Sequence, residues 1–331
     1  METPTQKMNA VILEKYGGPE VLQFCSNVDI PVPKAGQVLV KMKAAGINTV
    51  DTRIREGTHM PETFKPQHPM GLDGSGTIEQ VGEGVAKYKP GDRVYLGLGM
   101  TGSYAQYVLA GEQDVFLLHD KLSFKEGAVL PIPYFTAHRA LVKRANLQRG
   151  ESFLIQGASG QVGLACIHIA RWLGASYIVG TAGSPQGRDL ALKTGADIII
   201  DYKAEDFKDQ LKEAFSDRQI DVIVETNSDI NMSLDIDIIG SGGRIVIVGK
   251  RGETKCDPSK LMKKEALVIG SSLLASTRSE RISIATALYE AAGEGWIRPH
   301  VNKEYMLEEA QTAHKEMINS KGAVGKSIFV M

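Results

Sequence analysis

The stretch ESFLIQGASGQVGLACIHIARWLG, residues 151–174, decides the fold. Phe153-Leu-Ile155 is an apolar run of strand length, a glycine-rich turn follows at once, and Val162 onward has the apolar spacing of a helix. Strand, tight turn and helix in immediate succession give the dinucleotide fingerprint, here with alanine at its first small position: Ala158-Ser159-Gly160-Gln161-Val162-Gly163. Ala158 keeps the turn tight, Gly160 lets the backbone approach a pyrophosphate, and Gly163 lets the helix pack close to the strand. The free N–H groups at the helix start would hold the phosphates.

Downstream of this unit, apolar strands alternate with helices of about a dozen residues. The strands fall near 177–180, 196–201, 221–225, 243–249 and 266–270. With the opening strand they make six, apolar throughout and therefore buried on both faces, which predicts a doubly wound parallel sheet, a Rossmann domain. Upstream the texture is different. From Met8 to about Gly127 short strands with apolar/polar alternation are separated by Gly-Gly-Pro, Pro-x-Pro and Lys-Pro-Gly-Asp turns, the pattern of a partly closed antiparallel β domain. The segment after residue 272 holds two helices and a closing strand with no partner in the parallel sheet. It is therefore assigned to the β domain, giving residues 1–127 with 273–331 as one domain and 128–272 as the nucleotide-binding other.

Composition narrows the function. Lys and Arg total 38 against 39 Asp and Glu, a net charge of −1 that draws neither nucleic acid nor membrane by bulk field. The three cysteines, Cys25, Cys166 and Cys256, are far apart, which argues for a reducing compartment and against a cysteine-built zinc site. Met1 to Asn9 reads as neither secretory signal nor transit peptide, and no apolar stretch approaches 18 residues, so a cytoplasmic protein is expected.

In a doubly wound sheet the ligand lies beyond the carboxyl ends of the strands. After the second strand, an NAD site carries an acid that holds the ribose 2′-hydroxyl. Here Gly180-Thr-Ala-Gly183-Ser184-Pro-Gln-Gly-Arg188 has no acid, so a 2′-phosphate is tolerated, with Ser184 and Arg188 as contacts and NADPH as the expected cofactor. Tyr202, past the third strand, is placed to pack on the adenosine. Asn231, Val248, Gly249, Lys250, Arg251, Ser271, Ser272 and Leu273 are contacts by position after the last three strands. Thr136 lines the nicotinamide side or caps a helix.

The residues also carry a resemblance that covers nearly the whole chain. Gly17-Gly-Pro-Glu-Val-Leu22, Ala45-Gly-Ile-Asn48 followed by Asp51, Gly71-Leu-Asp-Gly-Ser-Gly76, Pro90-Gly-Asp-Arg-Val94, Gly157-Ala-Ser-Gly160 and Gly325-Lys326 are similar to the zeta-crystallin type of quinone oxidoreductase, a zinc-free branch of the medium-chain dehydrogenase/reductases. The resemblance implies a GroES-like β domain before the Rossmann domain, NADPH, reduction of quinones or other conjugated carbonyls, and a homodimer or homotetramer. It also implies that Asn48 stands at the nicotinamide end of the cleft. Where zinc-bearing relatives carry metal ligands, this chain has Asn48, Leu72 and Ile132, so a catalytic zinc, which needs three protein ligands, is not expected. Hydride would then pass to an already electrophilic acceptor, a quinone or an enone, and the developing oxyanion would need hydrogen-bond donors such as the Asn48 amide. Arg53 departs from the family, which usually has tyrosine there. It brings a permanent charge and five donors, to bind an anionic product oxygen or to turn to solvent. Zeta-crystallin-like proteins are also associated with AU-rich RNA. Lys260-Leu-Met-Lys-Lys264 is only a short basic patch, flanked by acids, and reads as a helix face, so no nucleic-acid partner is expected.

Overall fold

The structure is a computed structural model and describes residues 6–59, 62, 65–97, 102–250, 252–319, 322 and 324–331. It divides into two compact units, the first of residues 1–132, 299–320 and 326–331 and the second of residues 133–298 and 321–325.

The first unit opens with strands β1 (Lys7–Leu13), β2 (Leu22–Asp29), β3 (Gln37–Gly46), β4 (His68–Pro69), β5 (Asp73–Val81), β6 (Arg93–Leu96), β7 (Tyr107–Gly111) and β8 (Val115–Leu117). β1 pairs antiparallel with β2 and β4, and β3 pairs antiparallel with β5 and β7 in the larger sheet. Val38, Val40 and Met42 on alternate positions of β3 enter a core with Ile78, Val94 and Leu96, as the two-residue period demands.

The second unit carries β9 (Ser152–Gln156), β10 (Tyr177–Thr181), β11 (Ile198–Ile200), β12 (Val222–Glu225), β13 (Arg244–Ile247) and β14 (Leu267–Gly270). They form one six-stranded sheet in the order β11-β10-β9-β12-β13-β14, parallel throughout. This is the doubly wound Rossmann arrangement expected. All five residues of central β9 are buried, which is why that strand shows no alternation. The helix Gln161–Leu173 follows and stops at Gly174, whose φ of +85° suits glycine.

The first unit is completed by β15 (Val301–Tyr305) and β16 (Lys326–Val330), β16 lying antiparallel to β3. The division differs from the one drawn on sequence at residues 127/128 and 272/273. Residues 273–298 sit in the second unit, because the helix Arg278–Glu294 buries Ile284, Leu288, Ala291 and Ala292 there. Its Glu280 pairs with Arg139 at 3.5 Å, and its Glu294 accepts from Trp172 Nε1 at 3.1 Å. A helix without a strand of its own still covers a face of a two-faced sheet, and sequence periodicity does not say which sheet.

Candidate active site

The candidate nucleotide-binding residues lie in the second unit. Gly157 holds the left-handed position of the turn, φ +82°, and a Cβ there would stand 2.6 Å from Thr226 Oγ1. The sharp bend thus falls one residue before Ala158, which is fully buried and donates its N–H to Thr181 O at 2.8 Å. A Cβ on Gly163 would lie 2.2 Å from Gly157 O and 2.6 Å from Ala158 O, both backbone atoms, so only glycine lets this helix lean on the turn. Gly160 is the N-cap of the 13-residue helix, without a side-chain cap and with no acid in the first turn. The first N–H groups therefore remain open to an anion. Gln161 and Val162 are half-buried, and Gln161 Oε1 is buried without a partner.

Three neighbouring segments close on this turn. Ser159, nearly buried, lies against Gly187, where a Cβ would meet Ser159 Cβ at 2.8 Å and Ser184 Oγ at 2.9 Å. Ser184 caps the helix Pro185–Thr194 by accepting Gly187 N–H at 3.2 Å. Gly325 donates its N–H to Ser159 O at 2.8 Å, so Gly325 lies against the nucleotide turn, which the sequence reading did not foresee. Tyr202 lies over Gly183, where a Cβ would fall 2.3 Å from its Cζ, and Arg188 pairs with Asp201 at 2.5 Å. Asp201 is the acid the sequence reading missed, since it follows the third strand rather than the second.

On the other side of β9, Gly249 abuts Thr226, Val248 donates to Glu225 O at 2.9 Å, and Asn231 Nδ2 reaches Glu225 Oε1 at 3.4 Å. Ser271 N–H bonds Ile247 O at 2.9 Å while its Oγ is buried without a partner. Ser272 and Lys250 are exposed, Leu273 and Thr136 half-buried, and Arg251 lies outside the described residues. His168 is packed rather than a base: Tyr134 OH lies 2.8 Å from its Nδ1 and burial pulls its pKa down to about 4. In the basic patch, Lys260 pairs with Asp237 at 2.6 Å, and Lys264 caps the preceding helix end through Ile236, Asp237 and Ile239 carbonyls.

Asn48 and Arg53 belong to the first unit, where a chain of buried polar groups surrounds the start of the helix Thr49–Arg55. Asn48 is its N-cap, 1 % exposed; its N–H donates to Asp51 Oδ2 at 2.8 Å and its Nδ2 faces the same oxygen at 3.4 Å. Tyr104 OH donates to that Asp51 oxygen at 2.8 Å, and Tyr104 OH stands 3.3 Å from His314 Nε2. Arg55 Nη1 is 3.2 Å from His314 Nδ1. Because arginine only donates, His314 Nδ1 must accept, which places the imidazole proton on Nε2 and makes Tyr104 the next acceptor. The bonds therefore all run one way, from Arg55 through His314 and Tyr104 to Asp51. Burial, then the Arg55 charge, pulls His314 down to about 3, so it is neutral. Burial pushes Asp51 up to about 7 against the donors Asn48 and Tyr104. Asp73 is buried and paired with buried Lys326. A Cβ at Gly46 would lie 2.6 Å from Lys326 Nζ, so glycine makes room for that side chain. Arg53 is exposed on the same helix, and with burial it depresses the His59 pKa.

A GroES-like β unit joined to a Rossmann unit is the architecture of the medium-chain dehydrogenase/reductases. Residues 34–120 match the family model described as the alcohol dehydrogenase GroES-like domain, and residues 162–290 match the one described as zinc-binding dehydrogenase. The latter span does not include Asn48, Leu72 or Ile132. The chain is 42% identical to a quinone oxidoreductase of Sus scrofa and 40% identical to one of Homo sapiens, each over 331 residues and the full length of both chains. It also superposes on the crystal structure of Escherichia coli quinone oxidoreductase complexed with NADPH, with a TM-score of 0.86 and 29% identity, covering 98% of this chain and 100% of that one. The chain belongs to the quinone oxidoreductase family and is an oxidoreductase.

Proposed function

We propose that the chain reduces quinones and kindred conjugated carbonyls with NADPH, without a catalytic metal. The observation that carries the reading is the uncapped, acid-free start of the helix Gln161–Leu173 behind a turn that only glycine can close. That cradle suits a pyrophosphate, and the names of the relatives and the NADPH held by the Escherichia coli neighbour support the cofactor. NADPH supplies a hydride when bound. Ser184 and Arg188 take its 2′-phosphate, Tyr202 flanks the adenosine, and the Ala158–Gly163 backbone holds the diphosphate. For Asn48 as a donor to the developing oxyanion, the support is the likeness of Ala45-Gly-Ile-Asn48 followed by Asp51 to the family segment; Arg53 stands where the family usually has tyrosine, and its support is its charge and exposure on the same helix. With Asn48, Leu72 and Ile132 at the ligand positions of zinc-bearing relatives, the residues do not suit zinc.

The same reading makes the chain a homo-oligomer. Edge strand β14 presents Leu267 and Val268 at 55% and 40% exposure, an apolar edge that a second copy would cover. Among the described residues no helix is long and apolar enough to cross a membrane.

The purified protein should quench NADPH fluorescence and oxidise NADPH with members of a quinone panel. Arg188→Ala should weaken NADPH by about tenfold and leave NADH nearly unchanged, the loss of one charge-assisted contact. A protein that neither binds nor oxidises NADPH with any quinone or enone would refute the reading.

A further inference from the structure

We propose that Asp201 sets how strongly this chain prefers the 2′-phosphorylated nicotinamide cofactor to the unphosphorylated one, because its carboxylate already holds the guanidinium that the phosphate needs. This rests on the cofactor reading above. Arg188 Nη1 lies 2.5 Å from Asp201 Oδ2, with the two side chains 27% and 32% exposed, so the pair is open to a ligand. Asp201 is not free to swing away, since its Oδ1 accepts the N–H of Lys203 at 2.9 Å. Tyr202 packs on Gly183, and Ser184 begins the helix that carries Arg188, so the ends of β10 and β11 converge on the ion pair.

A phosphate reaching this corner either draws Arg188 off Asp201 or settles beside the intact pair. In both cases the carboxylate repels the incoming dianion. A ribose 2′-hydroxyl meets no such opposition, because it can donate to a carboxylate. Asp201 thus does from the third strand part of what an acid after the second strand does in NAD sites, and it tempers the selectivity that Arg188 confers.

The test is a fluorescence titration of the purified chain with NADPH and with NADH, for the parent, Asp201→Asn, Arg188→Ala and the double variant. Asn keeps the acceptor for Lys203 N–H and loses the charge, and the amide NH2 it turns toward Arg188 cannot accept, so the guanidinium is released. Asp201→Asn should tighten NADPH by about tenfold while moving NADH by less than about twofold. The gain should shrink when Arg188 is already alanine, since it acts through the guanidinium. Should Asp201→Asn misfold by thermal melt, Asp201→Ser carries the same expectation. Unchanged or weaker NADPH binding in the charge-neutral variant, with the parent binding NADPH normally, overturns the proposal and leaves the cofactor assignment standing. Failure of parent and variants alike to bind either nucleotide overturns the assignment and the proposal together.

Discussion

Asp51→Asn should become progressively more stable than the parent chain as pH rises from about 4 to about 8. The sign follows from the direction of the shift. Burial raises the Asp51 carboxyl from 3.8 to about 7, with the Asn48 N–H and Tyr104 hydroxyl working against it. The folded state therefore holds the proton more tightly than the unfolded chain does. Its contribution to stability is complete below the unfolded pKa and is lost as pH climbs through the folded one. By about pH 8 the loss amounts to roughly 4 kcal/mol. Asparagine keeps an oxygen to accept from Tyr104 and Asn48 and carries no charge at any pH. Urea titrations of both proteins across this range should give a difference that is small near pH 4, grows to the neutral region and then levels. Glu225 and Asp235 are also pushed up by burial and tilt both curves alike, whereas Asp73 and Lys326, whose charges act on Asp51, are part of what the substitution changes. A difference that stays constant with pH would show that Asp51 ionises normally.

The second large effect is expected at the other buried pair of the first unit. Asp73 and Lys326 are each 1% exposed, and the Asp73 carboxylate is otherwise held by the Ile132 N–H, 3.3 Å from Oδ2, and by the Asn48 side chain. Lys326→Met removes the cation and strands the carboxylate, which costs about 3–5 kcal/mol. For a unit of this size that lowers Tm by roughly 10 °C. Burial already pushes Asp73 upward, so without its partner it takes a proton more readily, and the damage should ease in acid. Asp73→Asn with Lys326→Met should recover much of the loss, because neither charge is then buried alone. If the single and double variants melt together, the ion pair is not what Lys326 contributes.

How far these features could be read from sequence depended on how local they are. The six parallel strands were legible because each is a short unbroken apolar run; burial on both faces accounts for this in β9 and β12, while the edge strands β11 and β14 keep the run although partly exposed. The turn was legible because Gly160 and Gly163 are required at fixed offsets from a strand that precedes them directly. The bend at Gly157 was placed one residue late, since alanine at 158 fits a small position without revealing where φ turns positive. Asp51, three residues beyond the N-cap Asn48, had a helix-start spacing that could have announced its bond to the Asn48 backbone. Its other partners had no such signal. Tyr104 and His314 stand 210 residues apart, and Asp73 and Lys326 stand 253 apart. Such pairs are made by tertiary packing of elements distant in the chain and leave no periodic mark. Arg188 and Asp201 are 13 residues apart on different elements, which is why a loop without an acid looked uncontested.

The segment around Gly325 has a consequence for synthesis. Gly325 bonds the nucleotide turn at Ser159, and the next residues, Lys326–Val330, form the strand that pairs with β3. While a ribosome has released residues only to about 300, the Rossmann sheet has all six strands but its phosphate turn lacks a wall, and the β sheet beside β3 has a bare edge. Neither unit can be excised as one continuous piece of chain. A nascent or clipped product missing these few residues would lose parts of both units at once and expose a sheet edge, a state suited to recognition by chaperones and proteases before any cofactor is bound.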